Sequence, residues 1–179
     1  QCSTHSVCDG STQYEHVAPT SSSNRGCRSH TKCQGHQWEA RAGDEKNDRD
    51  CQDHTVTSCP AGWYLHRAPA STNDGKCERC PSGTFQADTG STQRSCAPHS
   101  TVWCKKGHAL STAPTSSTDG ACTACASGTF QPRSMSTVAA CSAHTITDCP
   151  AGNELTTPPS STTDGVCRVC PAGTARAPN

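Results

Sequence analysis

Residues 51–95 read CQDHTVTSCPAGWYLHRAPASTNDGKCERCPSGTFQADTGSTQRS and set the pattern for most of the chain. The four cysteines of this stretch recur after 45 residues and again after another 45, with no insertion or deletion between copies. The three sets are Cys51, Cys59, Cys77 and Cys80; Cys96, Cys104, Cys122 and Cys125; and Cys141, Cys149, Cys167 and Cys170. Self-similarity at a fixed period is typical of a repeat array. The sequence therefore predicts tandem modules and not one compact domain.

The composition leaves too little apolar surface for a shared core. Only 31% of the 179 residues are hydrophobic, a fraction that includes the cysteines, and 4% are aromatic. Burial worth about 25 cal/mol per Å² of apolar surface cannot offset the ordering entropy of such a chain. The 16 cysteines indicate cross-links made in an oxidising, extracellular compartment. The predicted fold class is a small disulfide-rich repeat array, an elongated ladder of short β-hairpins and turns with almost no helix and no shared hydrophobic core.

Two loop lengths suggest how the cysteines pair. Longer loops hold 17 or 18 intervening residues and shorter loops hold 15. Closing each loop on itself gives seven bridges, which stay a hypothesis because spacing does not prove connectivity. The bridges are Cys8–Cys27, Cys33–Cys51, Cys59–Cys77, Cys80–Cys96, Cys104–Cys122, Cys125–Cys141 and Cys149–Cys167. Cys2 and Cys170 are left over, and we expect them to bond to flanking repeats of the same chain or to another copy of it.

Other polar residues recur with the cysteines. A histidine stands in each Cys-x-x-His-(Ser/Thr) segment, and an Asn or Asp stands three residues before the closing cysteine of each long loop. The histidines are His5, His30, His54, His99 and His144, and the second set is Asn24, Asp48, Asp74, Asp119 and Asp164. We interpret the histidines as structural rings bonded to backbone, with metal binding or pH sensing as the alternative. We interpret Asp-Gly as turn chemistry in which glycine supplies a positive φ, with calcium ligation as the alternative.

The sequence argues against several classes of function. Cys77-x2-Cys80 and its two repeats have zinc-ribbon spacing, but no second close pair follows them. No nucleophile, paired carboxylates or phosphate-binding glycine loop can be recognised, so we expect no enzyme, no metal and no cofactor. A net charge of zero gives no electrostatic basis for binding nucleic acid. No apolar stretch reaches the roughly 20 residues needed to cross a bilayer, so we expect no direct membrane insertion.

The short loops and their linkers resemble a known family. The segment Cys80-Pro81-Ser82-Gly83-Thr84-Phe85, the linker Cys96-Ala97-Pro98-His99-Ser100, then Cys104, Asp119 and Cys122-x2-Cys125 are similar to tumour necrosis factor receptor-type cysteine-rich repeats. Related repeats also occur beside the ligand domain of ephrin receptors. The resemblance implies a ladder-like ectodomain with disulfides inside its modules. It departs in residues 27–51, where two long loops follow each other without a short one between and the segment 43–50 is charged and lacks the proline. Residues 33–51, with Trp38, are the candidate for a ligand-binding module.

Hydroxyl residues cluster beside the loop prolines, a composition found in O-glycosylated stalks and equally in plain turns. The candidate glycosylation sites are Thr20, Ser21, Ser22, Ser23, Ser71, Thr72, Thr115, Ser116, Ser117, Thr118, Thr156, Thr157, Ser160, Ser161, Thr162 and Thr163. Glycans are therefore expected partners on the hairpin tips.

Module boundaries follow from the cysteine period. We expect a partial module in residues 1–32, a module with an irregular charged first loop in 33–79, repeats in 80–124 and 125–169, and the start of a further repeat in 170–179. Two functions fit these modules. The first is an extracellular structural protein, a rod or filament of modules joined end to end and secreted or displayed on a cell surface. The alternative is a receptor ectodomain that binds a tumour-necrosis-factor-like protein ligand.

Overall fold

A computed structural model describes residues 2–174 of the chain. These residues form seven two-stranded antiparallel hairpins and no helix, which confirms the predicted disulfide-rich array of hairpins. Gln1 and residues 175–179 lie outside the described residues, and with them the end of the segment assigned to a further repeat. None of the proposed module boundaries is tested by this architecture, so the boundaries stay a prediction.

The strands belong to two compact units. The first unit comprises the residues up to Pro60 together with Tyr64–Glu78 and Thr89–Ser95. Its hairpins pair β1 (Gln13–Val17) with β2 (Gly26–Ser29), β3 (Gln37–Arg41) with β4 (Asp50–Asp53), and β5 (Trp63–Arg67) with β6 (Lys76–Arg79). The two end residues of the third hairpin, Trp63 and Arg79, belong to the second unit.

The second unit comprises Ala61–Trp63, Arg79–Asp88 and the residues from Cys96 onward. Two of its hairpins are short and lie in the 15-residue loops: β7 (Thr84–Phe85) pairs with β8 (Ala97–Pro98), and β11 (Thr129–Phe130) pairs with β12 (Ser142–Ala143). The other two are long: β9 (His108–Thr112) pairs with β10 (Ala121–Ala124), and β13 (Asn153–Thr157) pairs with β14 (Val166–Val169).

A β-bulge recurs near the tip of the long hairpins. In β9 and β10, Leu110 lies opposite Cys122, but the next aligned pair is Thr112 and Ala121, so Ser111 is the extra residue. The same irregularity lies on the tip side of the closing cysteine in three further hairpins. An extra residue bends its strand and strengthens the local twist. The bulge therefore sets the direction in which each hairpin tip leaves its disulfide.

Hairpin tips bond to the backbone of the segment before them, within each unit. The second residue of a tip accepts a backbone hydrogen bond through its carbonyl oxygen. In the first unit Glu15 N–H donates to Glu45 at 2.7 Å and Glu39 N–H to Ser71 at 2.7 Å; in the second, Gln86 N–H donates to Ser116 at 3.0 Å and Gln131 N–H to Ser161 at 2.9 Å. Because only backbone groups take part in these bonds, the side chain at the accepting position is not specified by them.

Sulfur occupies most of the buried apolar interior. The buried apolar residues are Cys8, Cys59, Leu65, Cys104, Ala109, Leu110 and Cys149. The structure joins fourteen cysteines in the bridges Cys8–Cys27, Cys33–Cys51, Cys59–Cys77, Cys80–Cys96, Cys104–Cys122, Cys125–Cys141 and Cys149–Cys167. Four of the seven buried apolar residues named above are cysteines, and the buried aliphatic side chains among them are Leu65 in β5 and Ala109 and Leu110 in β9.

Comparing two disulfides of equal loop length distinguishes the stability that comes from loop closure from the stability that comes from burial of sulfur. Cys33–Cys51 and Cys59–Cys77 both have a sequence separation of 18, so each should contribute about 3 kcal/mol through loop closure. Cys59 is 1% exposed whereas Cys33 is half-buried. We expect the C59A/C77A variant to lose roughly 1 kcal/mol more than C33A/C51A, because it also loses a buried group of methyl size. Native-state hydrogen exchange of the two hairpins measures both losses, and equal losses would contradict a packing role for Cys59.

Candidate functional site

Aspartate side chains hold the linkers between loops. Asp119 accepts hydrogen bonds from the backbone N–H of Ser100 at 3.1 Å and of Thr101 at 3.3 Å, and from the Ser100 hydroxyl. It also accepts the N–H of Gly120 at 2.8 Å. The same arrangement joins Asp48 to Thr31, Asp74 to Thr55 and Asp164 to Thr145, and Asn24 joins Ser6 in the first loop. We call Asp48, Asp74, Asp119 and Asp164 the clamp aspartates.

These hydrogen bonds lower the pKa of the clamp aspartates. The Ser100 hydroxyl is the main cause at Asp119, and with the backbone donors it lowers the pKa to about 2. The Thr31 hydroxyl has the same effect on the pKa of Asp48, also to about 2. The pKa values of Asp74 and Asp164 are lowered further, chiefly by the hydroxyls of Thr55 and Thr145. The clamp aspartates therefore stay ionised acceptors at any pH above about 4.

The cross-loop reach of these carboxylates differs from the local turn capping expected from the sequence. An acceptor 19 residues beyond its hydroxyl donor, as in Ser100 and Asp119, closes a loop and not a turn. A signal was present in the sequence, because the two residue types recur at constant separation in the last three long loops. The calcium alternative gains no support: residues 2–174 contain no group of three or more His, Cys, Asp or Glu side chains that could hold a metal ion.

The glycine after three of the clamp aspartates has another function than the one predicted. Gly75, Gly120 and Gly165 are not among the glycines with positive φ. A Cβ at Gly120 would lie 1.9 Å from the carbonyl oxygen of Thr101, and the other two positions have equally close carbonyls at 1.9 Å and 2.1 Å. The prediction of a left-handed turn was wrong. Glycine is needed there because the linker backbone crosses directly over it.

Three linker histidines, His30, His99 and His144, lie between an aromatic ring and a clamp aspartate. His30 stacks on Tyr14 and also makes the contact to backbone expected from the sequence, with Nε2 3.3 Å from the carbonyl oxygen of Gly10. The imidazole of His99 stacks on Phe85 with ring centroids 5.3 Å apart, and that of His144 stacks on Phe130 at 5.2 Å. Their Nδ1 atoms lie 3.4 Å from Asp119 and Asp164 but make no hydrogen bond at that geometry. The expected bond from imidazole to backbone is therefore not the contact that positions His99 and His144. Ring stacking positions both imidazoles. Each lies beside the clamp aspartate that accepts hydrogen bonds from the same linker.

The candidate glycosylation residues have different structural roles. In the tip of residues 115–118 the hydroxyls of Thr115 and Thr118 lie 2.7 Å apart, and Thr115 Oγ1 accepts the N–H of Ser117 at 3.2 Å and of Thr118 at 3.1 Å. Residues 20–23 and 160–163 have the same hydroxyl pair, at 2.7 Å and 2.8 Å. The first and fourth hydroxyls thus cap the turn, and O-glycosylation of the tips stays a prediction.

A cleft opens in the irregular part of the first unit. It has a volume of about 420 Å³ and is lined by residues 33–37, His54, Thr57 and residues 69–71. The bond from Glu39 N–H to Ser71 at 2.7 Å fixes the tip of the third hairpin against β3. Beside the cleft, Gln37 Nε2 donates to Asp53 at 2.9 Å. The cleft is therefore preformed by backbone contacts and presents both polar and apolar groups.

The charged loop of the same irregular segment is a capped turn at the other end of the β3/β4 hairpin. Asp44 Oδ1 accepts the N–H of Lys46 at 2.7 Å and of Asn47 at 2.8 Å, and the Asn47 amide donates to the same carboxylate at 3.0 Å. The amide of Asn47 is the main cause that lowers the pKa of Asp44. The segment 44–47 is thus a hairpin tip like the others, with charged residues in place of the Ser/Thr cluster.

Cys2 and Cys170 have no disulfide partner in the structure; Cys2 is exposed and Cys170 is half-buried. Nothing among residues 2–174 indicates what either thiol bonds to, so the rod or filament expected from the sequence is not supported. The described part of the chain has no helix long and apolar enough to span a membrane.

Comparison with known proteins gives similarity at the level of the hairpin repeat. No protein-family model matches the chain, and no curated protein matches it. It is similar to a chain of the crystal structure of the mouse RANKL-OPG complex, with 20% identity and a TM-score of 0.36, over 76% of this chain and 88% of that chain. It is also similar to a chain of the human RANKL/OPG complex, with 21% identity and a TM-score of 0.37, over 89% of this chain and 87% of that chain.

Both TM-scores lie below 0.5, a level at which similarity says little about function. The seven disulfides and the two-stranded hairpins of the chain fit tumour necrosis factor receptor-type cysteine-rich repeats, the family that the sequence motifs resemble. Disulfides at this density are those of an extracellular or cell-surface protein.

Acid should weaken the loop that Asp119 closes. Its pKa of about 2 in the folded chain lies below the ordinary value of 3.8, so its contribution is complete above pH ~4 and is lost as the pH falls through about 2. In D119N we expect β9 and β10 to lose protection already at neutral pH and to depend less on pH between about 4 and 2. Hydrogen exchange of β9 and β10 amides measures this, with D88N as the control because Asp88 is exposed and outside the clamp. A D119N profile parallel to that of the unmodified chain would contradict the assignment.

Adding one methyl group tests the close approach at Gly120. The G120A variant should lose roughly 1–3 kcal/mol of stability, because the linker must move away from the new Cβ. Gly35 has nothing within 4 Å of its Cβ position, so G35A is the matched control and should change stability by less than about 0.5 kcal/mol. Urea unfolding of both variants gives the comparison, and equal stability of G120A and the parent chain would show that the linker is not constrained there.

Proposed function

We propose that this chain is a non-catalytic extracellular ectodomain that binds a tumour-necrosis-factor-like protein ligand. The observation that carries the proposal is the cleft of the first unit, which lies in the segment where the sequence departs most from the repeat. Loops that depart from a repeated scaffold are where binding surfaces are usually found. The charged tip at 44–47 and the half-buried Trp38 belong to the same irregular segment.

The chemistry around the cleft suits a protein ligand better than a small molecule. Pro69 and Ala70 supply apolar surface, while Gln37 and His36 supply polar groups beside it. Both His36 and Asp53 are largely exposed, with side chains 69% and 72% accessible. Small-molecule sites usually enclose their ligand and are lined mainly by apolar side chains. An open surface that combines apolar and polar groups is typical of a protein interface.

An arginine at the cleft entrance should block ligand binding without disturbing the fold. Gly35 is exposed and its Cβ position is open, so G35R places a long cation over the cleft. Ser127 also stands two residues after a loop-opening cysteine and is exposed, so S127R is the matched control. We expect G35R to weaken binding at least tenfold, about 1.4 kcal/mol, and S127R to change it less than twofold.

Biolayer interferometry against a panel of soluble tumour-necrosis-factor-type trimers makes this measurement. If the unmodified chain binds none of them, the proposed ligand class is wrong. If the chain binds one and G35R binds equally well, the ligand contacts another surface.

A further inference from the structure

We propose that a second surface, formed by Trp103, Lys105 and Met135 in the second unit, docks an acidic protein segment that carries an apolar side chain. We call these three residues the Trp103 face. The inference deepens the proposed function, because it names a contact surface for protein outside the cleft. It is tested with a probe of its own, so that its failure is distinguishable from failure of the proposed ligand class.

Backbone pairing brings the three residues close together. Cys104 N–H donates to Ser136 at 2.8 Å and Ser136 N–H donates to Cys104 at 2.9 Å, which makes an antiparallel bridge between the linker and the short loop. Cys104 and Ser136 are buried, 1% and 6% exposed. The residues next to the two bridge residues, Trp103, Lys105 and Met135, are exposed. The antiparallel register of the bridge places the backbone of Met135 across from Lys105 and diagonal to Trp103.

The face is apolar where the other repeats are polar or small. Met135 is 65% exposed and Trp103 is 45% exposed, and Val102 and Val138 beside them are each 46% exposed. The residues 45 positions before Trp103 and Met135 are Ser58 and Gly90, and the residue 45 positions after Trp103 is Asp148. Exposed apolar side chains gathered around one backbone bridge of a very polar chain indicate an interaction site. The repeat fold itself does not require apolar side chains at these positions, because the other copies fold with polar or small residues there.

The backbone at Met135 carries a conformational cost that the fold does not require. Met135 has φ 55°, a left-handed conformation that L side chains rarely adopt. Gly90, its counterpart 45 residues earlier, has φ 78° and precedes Ser91, which forms the corresponding bridge with Cys59. Glycine is therefore the unstrained choice at this position, and methionine presents an exposed, adaptable side chain at the expense of local strain. Strain kept at one exposed residue is a sign of function.

Charge defines the partner. Lys105 and Lys106 follow the bridge cysteine, and Arg133 stands two residues before Met135; all three are exposed. The only acidic residue between positions 100 and 147 is Asp119, whose carboxylate already accepts bonds from Ser100 and Thr101. The face is thus locally cationic in a chain with no net charge. A partner that presents carboxylates around an apolar anchor complements both its charge and its Trp and Met side chains.

A pair of charge-reversed peptides tests the inference. Acetyl-EELFEE-amide is the acidic probe and acetyl-KKLFKK-amide has the same apolar centre with opposite charge. Titrated into ¹⁵N-labelled full chain, the acidic peptide should cause saturable NMR shifts of the Trp103 indole and of the Lys105 and Met135 amides. The basic peptide should bind at least tenfold more weakly, and added salt should weaken the acidic one.

Variants on and off the face complete the experiment. M135G restores the residue type of the preceding repeat and should keep the fold while weakening the acidic peptide at least fivefold. K105E/K106E should abolish binding, whereas K46E in the first unit and V169A, at another exposed apolar residue, should leave it unchanged. Equal affinity for the two peptides, no saturable shift up to 5 mM, or shifts centred on residues 33–37 would each overturn the inference. None of these outcomes depends on whether a tumour-necrosis-factor-type trimer binds the cleft.

Discussion

Disulfide closure is the constraint on which the other contacts of this chain depend. Of the seven buried apolar residues among residues 2–174, four are cysteines, and no hairpin in this range buries more than two aliphatic side chains. Without the bridges, the two-stranded hairpins would lack enough buried surface to stay folded in water. Each bridge joins the start of a hairpin to the strand that returns from its tip. Once that loop is closed, the strand register, the bulge and the position of the clamp aspartate follow from short-range geometry.

A second layer of order comes from charged hydrogen bonds. A clamp aspartate gathers the hydroxyl and one or two backbone N–H groups of a linker that has no strand partner of its own. Bonds to an ionised acceptor are stronger than neutral ones, and at Gly75, Gly120 and Gly165 the linker passes so close that only glycine fits beneath it. The stacked histidine occupies the remaining space between linker and loop. The segments between disulfides are therefore held by polar contacts, which suits a chain of mean hydropathy −0.71.

Much of the fold could be read from spacing alone, because cysteine positions at a fixed period leave few hairpin arrangements. The hydrogen-bond partners of the recurring polar residues could not be predicted in this way. Periodicity shows that Asp119 and Gly120 recur together, but it does not distinguish a residue that caps its own turn from one that reaches back 19 residues to Ser100. The positive φ expected at Gly120 belongs instead to other glycines and to Met135. The repeat period also gives no information about residues that occur in only one copy. The cleft beside Gly35 and the Trp103 face are both departures from the repeat, and only the folded backbone shows which departures lie side by side.

The bonds between hairpin tips and the preceding segment have a consequence for the history of such chains. A carbonyl oxygen is the same in every amino acid, and the accepting positions hold glutamate in one tip and serine in three others. The bond itself thus specifies no side chain, and the sequence requirement of the junction falls on the glycine that faces the tip, such as Gly62 beneath Ser116. A hairpin tip can therefore be exchanged between copies as long as the facing glycine is kept. Individual copies are then free to diverge on their outward faces while the junctions stay intact.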